Sequence, residues 1–416
     1  MDDLEKVKTA LAKIKTKDQE AEWNRLVDEG IAILNARKGT VLIAPAEYEI
    51  SDNEYQQGLN HEVVTASVIR QHAFAAGDPN PLWRDPNYAK KTRWGSIIAP
   101  PMFDTTISYC SAAGRGPDGG LRFPCFSTMA SGNRHEYFQV IRPGDRFHIV
   151  DKYLGCEEKP VKGKSYRMFI ESGERTYINQ RDEKVVVAQG RAFGIGTPPW
   201  EVQDDAAATS ALYQDRKRRR YTKAELDAVN KSYDEQLAGK WRRGSAVRYW
   251  DDVKVGDELP ALGKGPIDAS DICTEMVFWM NIGFAIKWAV MRGELQQHPV
   301  DVETGGYRYR RDWHIDEAFA KQMGMPYGFM DGAHLEMILT HVITDWMGDD
   351  GFVKLLDYQV RRSNFIGEID WLKGKVIKKY VENGEHLVDL DVWIENQDKL
   401  QIIKGLSTVK LISRED

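Results

Sequence analysis

Cysteine is scarce. Four thiols, Cys110, Cys125, Cys156 and Cys273, are scattered over 416 residues, with no CxxC pair and no histidine at metal-ligand spacing. That pattern argues against a disulfide framework or a zinc module and fits reduced thiols in a cytoplasmic protein. Long apolar runs are missing too, and none has the length to span a bilayer. An excess of positive charge is also lacking. The formal net charge is −6, which offers nucleic acid or an anionic membrane no global attraction. The opening MDDLEKVKTALAKIKTK has no apolar core of the signal-peptide kind. No GxSxG supports a serine hydrolase, and neither GxGxxG nor a P-loop supports a nucleotide site. The expectation is a cytoplasmic protein without metal or cofactor.

What is present is ordinary globular chemistry, 42% hydrophobic and 29% charged, in a chain long enough for two domains with real cores. Residues 1–40 read as a helical leader, with Leu4, Val7, Leu11 and Ile14 at helical spacing. A domain over residues 41–200 follows. It begins with VVTASVIRQHAFAAG, a helix capped by Thr65 or Ser67 and stopped by Gly77. Asp78 and Asn80 lie in the Gly/Pro loop behind it. Next come a short helix in RDPNYAKKT, the pair Pro100-Pro101 and a buried helix in MFDTTISYCSAA. Strands rich in β-branched and aromatic residues close the domain: FHIVDKYLG, KSYRMFIESGERTYI and KVVVAQGRAFGIG. Residues 201–246 form a polar linker with a helix from Lys223 to Gln236 capped by Thr222. Its basic run, Arg216 to Arg220, reads as a solvated face, with a phosphate-bearing ligand as the functional alternative.

Residues 247–416 repeat the first domain. WHIDEAFAKQMGMPYGFMDGAHLEMILTHVITDWMG lines up with LWRDPNYAKKTRWGSIIAPPMFDTTISYCSAAG, and strands DWLKGKVIKKYV, HLVDLDVWIENQ and LQIIKGLSTVKLI follow. Each copy implies an α+β unit in which an antiparallel sheet wraps a long central helix.

The stretch GDPNPLWRDPNYA followed by IIAPPMF resembles the MaoC-like dehydratases, the R-specific 2-enoyl-CoA hydratase family. The second half, with YWDDVKVGDELP, HIDEAFAKQMG and THVITDWMGDDGFV, resembles the C-terminal half of their double-domain members. The resemblance spans roughly residues 60–416 and implies a tandem (double) hot-dog fold. It also implies a CoA-thioester substrate between the halves, the CoA being part of the substrate rather than a cofactor. In the family pattern GDxNPxH, Asp and His hold the water that adds across the double bond. A glycine N–H at the start of the hot-dog helix polarises the thioester. Asp78 and Asn80 match that pattern, but Trp83 takes the histidine position and Pro101, which has no N–H, the glycine position. The second copy departs in the complementary way: His314 and Gly332 match, and Tyr309 falls at the aspartate position.

The expected activity is hydration of a 2-enoyl-CoA, or the reverse dehydration of a 3-hydroxyacyl-CoA, with Asp78 as the main acid/base. Asn80 and His314 are the other catalytic candidates, and Gly332 is the oxyanion donor. Trp83, Trp313 and Arg84 are candidate substrate-binding residues, and Trp346 is a further candidate wall of an acyl pocket. Asp312 is a candidate replacement for the lost carboxylate. His334 and His341, two turns apart on one helix, read as interface or core residues. The alternatives are an acyl-CoA thioesterase on the same fold and a non-catalytic acyl-CoA-binding subunit of a hetero-complex. A homo-oligomer is compatible with either.

Overall fold

The structure is a computed structural model that describes residues 3–43, 61, 63–108, 120–202, 204–213, 216–279, 303–306 and 310–415. In chain order its elements are α1 (Asp3–Leu11), α2 (Glu20–Ala36), β1 (Val41–Ile43), α3 (Ala66–Ala75), α4 (Pro81–Arg84), α5 (Pro86–Ala89) and α6 (Phe103–Ile107). Four strands follow, β2 (Phe126–Tyr137), β3 (Phe147–Lys159), β4 (Arg167–Asn179) and β5 (Lys184–Gly196). The linker carries α7 (Asp205–Ser210) and α8 (Lys223–Leu237). The second half holds β6 (Leu262–Lys264), α9 (Ala269–Trp279), α10 (Glu317–Gln322) and α11 (Gly332–Met347), then β7 (Phe352–Val360), β8 (Asp370–Glu382), β9 (Glu385–Asn396) and β10 (Gln401–Lys410).

All ten strands join in one antiparallel sheet of order β1-β3-β4-β5-β2-β7-β10-β9-β8-β6. Read outward from the β2–β7 join, the two sides run in the same sequence. The order itself therefore records the duplication that the sequence implies, and the fold is a tandem hot-dog. The join is short, pairing Arg134 with Asp357, His135 with Leu356 and Glu136 with Leu355. At its edge Gly132 has φ +120, and a Cβ there would lie 2.2 Å from the Tyr358 carbonyl oxygen, so only glycine lets the strands meet. β4 shows why these segments are strands. From Phe169 to Asn179 every second residue is buried, the period of a sheet with one face on the core.

The central helix of the second half, α11, is buried from Ala333 through Met347 without a break, as a helix wrapped on all sides must be. It packs on β8 and β9 of its own half and on β2 of the other. Leu335, Ile338, Leu339, Val342 and Ile343 anchor it in the main core, each contributing roughly 1.5–3 kcal/mol by leaving water. Its counterpart differs from expectation. α6 ends at Ile107 because Ser108 turns to extended backbone (φ −167, ψ 123), and the rest of the expected helix, residues 109–113, lies outside the described residues. In the leader, α1 and α2 bury Leu4, Val7, Leu11, Trp23, Leu26 and Leu34 against Phe123, Tyr153 and Phe169 of the first half. α8 begins on a Thr222–Glu225 capping box and runs one residue beyond the expected end.

Candidate functional site

The Asp78 loop is built from local rules. Gly77, at φ +61, ends α3, with the Gly77 N–H donating to the Phe74 carbonyl and the Asp78 N–H to that of Ala73, both at 2.9 Å. The Asn80 side chain then caps α4, accepting from the Leu82 N–H at 3.0 Å. The Asp78 carboxylate is buried and occupied on both oxygens. Oδ1 accepts from the Asn80 N–H at 2.9 Å, and Oδ2 accepts from the Trp83 indole N–H at 2.8 Å. Trp83, at the position of the missing histidine, thus braces the loop through Asp78. It also lines a cavity of about 40 Å³ with Trp94, Pro100, Pro101, Tyr137 and Met347. Arg84 is exposed on the last turn of α4 and does not join this group.

The loop lies against α11 of the other half. His341 Nε2 is 3.6 Å from Asp78 Oδ1 and 3.3 Å from Asp345 Oδ2. The Lys264 ammonium donates to the Gly77 carbonyl at 2.9 Å, and burial brings its pKa down to about 8 against the raising fields of Asp78 and Asp345. His341 is therefore the histidine that faces Asp78. Asp345, which sequence reasoning passed over, shares its face, a placement legible in the i, i+4 spacing of the two residues.

A second constellation forms at the start of α11. His314 ends a 3-10 turn, Arg310–His314, and its Nδ1 sits 2.8 Å from the Phe329 carbonyl oxygen. A carbonyl only accepts, so Nδ1 carries the proton and Nε2 is the basic nitrogen. That Nε2 lies 3.5 Å from Asp331 Oδ2, while Asp331 Oδ1 caps α11 by accepting from the Ala333 N–H at 2.9 Å. Gly332 is the first helical residue, among the amides that no i−4 carbonyl can reach, at the positive end of the helix. The structure places His314 beside Asp331, the residue that precedes Gly332. Asp331 was not among the candidates, although Asp-Gly-Ala before an apolar run carries a cap signal. Trp313 packs edge-on to Phe329 and to His314, ring centroids 5.1 and 5.7 Å apart. Asp312 accepts through its backbone oxygen from the Ile315 and Asp316 amides. Tyr309 lies outside the described residues.

Asp78 and His314 do not form one cluster. Gly332 and His341 stand nine residues apart, about 13 Å along a helix rising 1.5 Å per residue. Between them His334 is buried, and that burial lowers its pKa to about 4. Beside it Glu336 accepts from Asn133 at 2.6 Å and is pushed well above the carboxylate range by burial. Trp346 lies in the core with the Arg248 guanidinium 4.6 Å over its ring.

With Arg216 half-buried, the basic run of the linker is exposed from Lys217 to Arg220, as a solvated face should be. It edges a cavity of about 210 Å³ with Tyr221, Tyr327 and Phe365. Three of its four arginines are matched by acids, Arg216 by Glu368 at 3.5 Å, Arg218 by Glu317 at 2.5 Å, and Arg219 by Glu225 and Asp398. No group of described residues forms a helix long and apolar enough to cross a membrane.

Residues 54–188 match the family model described as FAS1-like, dehydratase domain region. Among solved structures, a MaoC-like dehydratase superposes with TM-score 0.59 at 18% identity, covering 91% of this chain and 99% of its own. A MaoC-domain protein from Chloroflexus aurantiacus gives 0.55 at 11% identity, covering 91% and 96%. A double-hotdog protein from Mycobacterium tuberculosis gives 0.50 at 12%, covering 90% and 96%. At these identities the likeness is one of fold. UPF0336 proteins of Streptomyces avermitilis and Thermobifida fusca are 33% and 35% identical over 82 residues, 20% of this chain. The chain spans about half the length of these curated relatives, 55% and 54%.

Proposed function

We propose that this double hot-dog chain, whose residues 54–188 match a dehydratase family model, hydrates a 2-enoyl-CoA thioester, or dehydrates the 3-hydroxyacyl-CoA, at the start of α11. The observation that carries the reading is the set His314, Asp331 and Gly332. It joins a histidine of fixed tautomer, a carboxylate 3.5 Å from its basic nitrogen and a helix-start amide.

In the hydration direction, His314 Nε2 takes a proton from water and the oxygen adds to C3 of the enoyl group. The π pair moves through C2 toward the thioester oxygen, where the Gly332 N–H and the helix dipole favour the enolate. The Asp331 carboxylate stabilises the imidazolium, which returns the proton to C2. His334, neutral at pH 7 with its pKa near 4, adds no competing cation beside the pair. In this reading the proton-transfer role expected of Asp78 passes to His314, and Asp78 with Asn80 braces the loop of the other half. Trp313 is the apolar wall offered to the acyl chain beside His314.

A panel of enoyl-CoAs, followed by loss of conjugated-thioester absorbance, tests this. Turnover by the wild type and its loss in His314→Gln are expected. If nothing turns over, or if His314→Gln and Asp331→Asn both keep full activity, the reading is wrong. Release of free CoA thiol identifies a thioesterase instead, and binding without either signal identifies a non-catalytic acyl-CoA-binding subunit.

A further inference from the structure

We propose that Asp78, His341 and Asp345 form a binding site for a divalent transition-metal ion of the zinc class, tying the Asp78 loop of the first half to the central helix of the second. The three offer one imidazole nitrogen and two carboxylate oxygens, all within 4.8 Å of one another. Their residues are 5%, 1% and 2% exposed. The two separations from His341 Nε2, 3.3 and 3.6 Å, are close to those of neighbouring ligands on a common ion. Bonds of about 2.0–2.2 Å at tetrahedral angles put such ligands about 3.3–3.6 Å apart.

Hydrogen bonding alone does not account for the cluster. Neither ring nitrogen of His341, and not Asp345 Oδ1, has a hydrogen-bond partner among the described residues. An unsatisfied buried polar group costs about 1–3 kcal/mol, and an ion fills the one of these three, His341 Nε2, that faces both carboxylates. Lys264, the nearby cation, directs its ammonium to the Gly77 carbonyl and leaves the carboxylate lone pairs open. Asp78 is already oriented as a ligand should be. The Asn80 and Trp83 N–H groups fix its carboxylate and leave one Oδ1 lone pair facing His341. The donor set selects the ion. An imidazole with two carboxylates suits zinc and its neighbours, whereas calcium takes six to eight oxygens.

The test uses the full chain, stripped with a chelator and titrated with Co²⁺, whose visible absorption reports ligand geometry, and with Zn²⁺ by calorimetry. One equivalent is expected per chain, with a rise in Tm that chelator reverses. His341→Gln and Asp345→Asn should lose the Co²⁺ band, and His334→Gln, on the same helix, should keep it. Trp83→Phe, which removes the N–H on Asp78 together with part of the buried ring, should weaken binding about 10–100-fold. His314→Gln should bind the ion like the wild type, which separates this site from the proposed catalytic pair. Two results overturn the proposal: a stripped, folded wild type that takes up no stoichiometric Co²⁺ or Zn²⁺, or a His341→Gln variant that binds as well as the wild type. Either result makes the cluster a metal-free contact between the two halves.

Discussion

The two halves share one topology and have lost opposite parts of one motif. The first keeps Asp78 and Asn80 but seals the carboxylate with an indole from the residue that took the histidine position. The second keeps His314 and Gly332 and recovers a carboxylate from Asp331, the residue that caps the helix. A side chain that accepts two bonds inside its own loop has become part of the scaffold. In the proposed reading, one that faces a basic nitrogen at a helix start is placed for proton transfer. The difference lies in what surrounds each carboxylate, since both are buried.

Activity breaks the comparison most sharply. In the proposed reading His314→Gln lowers kcat/KM by about 10²–10⁴-fold, the usual worth of a positioned general base, whereas Asp78→Asn changes it by less than about tenfold. Steady-state kinetics on one enoyl-CoA measures both, and equal losses in the two variants would erase the distinction between the halves. Stability reverses the ranking. Trp83, 2% exposed, anchors the first loop, and Trp83→Ala is expected to cost about 3–5 kcal/mol in denaturant unfolding. Asp78→Asn, which sets an amide N–H group against a donor, is expected to cost about 1–3 kcal/mol.

Much of this architecture was legible in the sequence because it follows from short-range rules. Period-two burial marks β4, Thr65 and Thr222 are caps, Gly77 requires positive φ, and the second copy repeats the order of the first. The site was legible only in pieces. His314 and Asp331 are seventeen residues apart in sequence and come together where the Phe329 carbonyl receives the imidazole while Phe329 pairs with Phe365. Asp331 looked like a cap, and it is one, but the use of its second oxygen depends on tertiary contact. The pairing of Asp78 with His341 joins residues 263 positions apart on different halves, and no local pattern encodes it. The sequence motif weighted Asp78 as the main base because identity alone does not reveal that both of its oxygens are already bonded.

Each half also buries a neutral histidine beside its own helix, which gives the comparison a pH axis. Burial takes His72, on α3, and His334, on α11, from 6.5 to about 4. A depressed folded pKa means that the unfolded chain binds more protons between these values. The stability involved is present above pH 6.5 and is lost as pH falls toward 4. Unfolding free energy should therefore decline across that window, and His72→Gln and His334→Gln should each remove up to one proton from the slope. Unfolding followed at several pH values checks this. Unequal slopes would show that the two histidines differ in how far burial lowers them.

Pro101→Gly probes the smallest difference. In the second half the matching position is Gly332, the first residue of α11; in the first it is a proline, followed by Met102 at φ 71 and the short α6. The substitution restores an N–H where the motif would have one, yet Asp78 remains bonded to Trp83 and no histidine of that loop faces the new amide. Catalysis should stay at the wild-type level. The effect expected is on the unfolded chain, which gains backbone freedom, for a loss of about 0.4–1 kcal/mol. A gain in hydration rate from this one change would instead mean that the first half lacks only its oxyanion donor, and that Asp78 acts as a base despite its two hydrogen bonds.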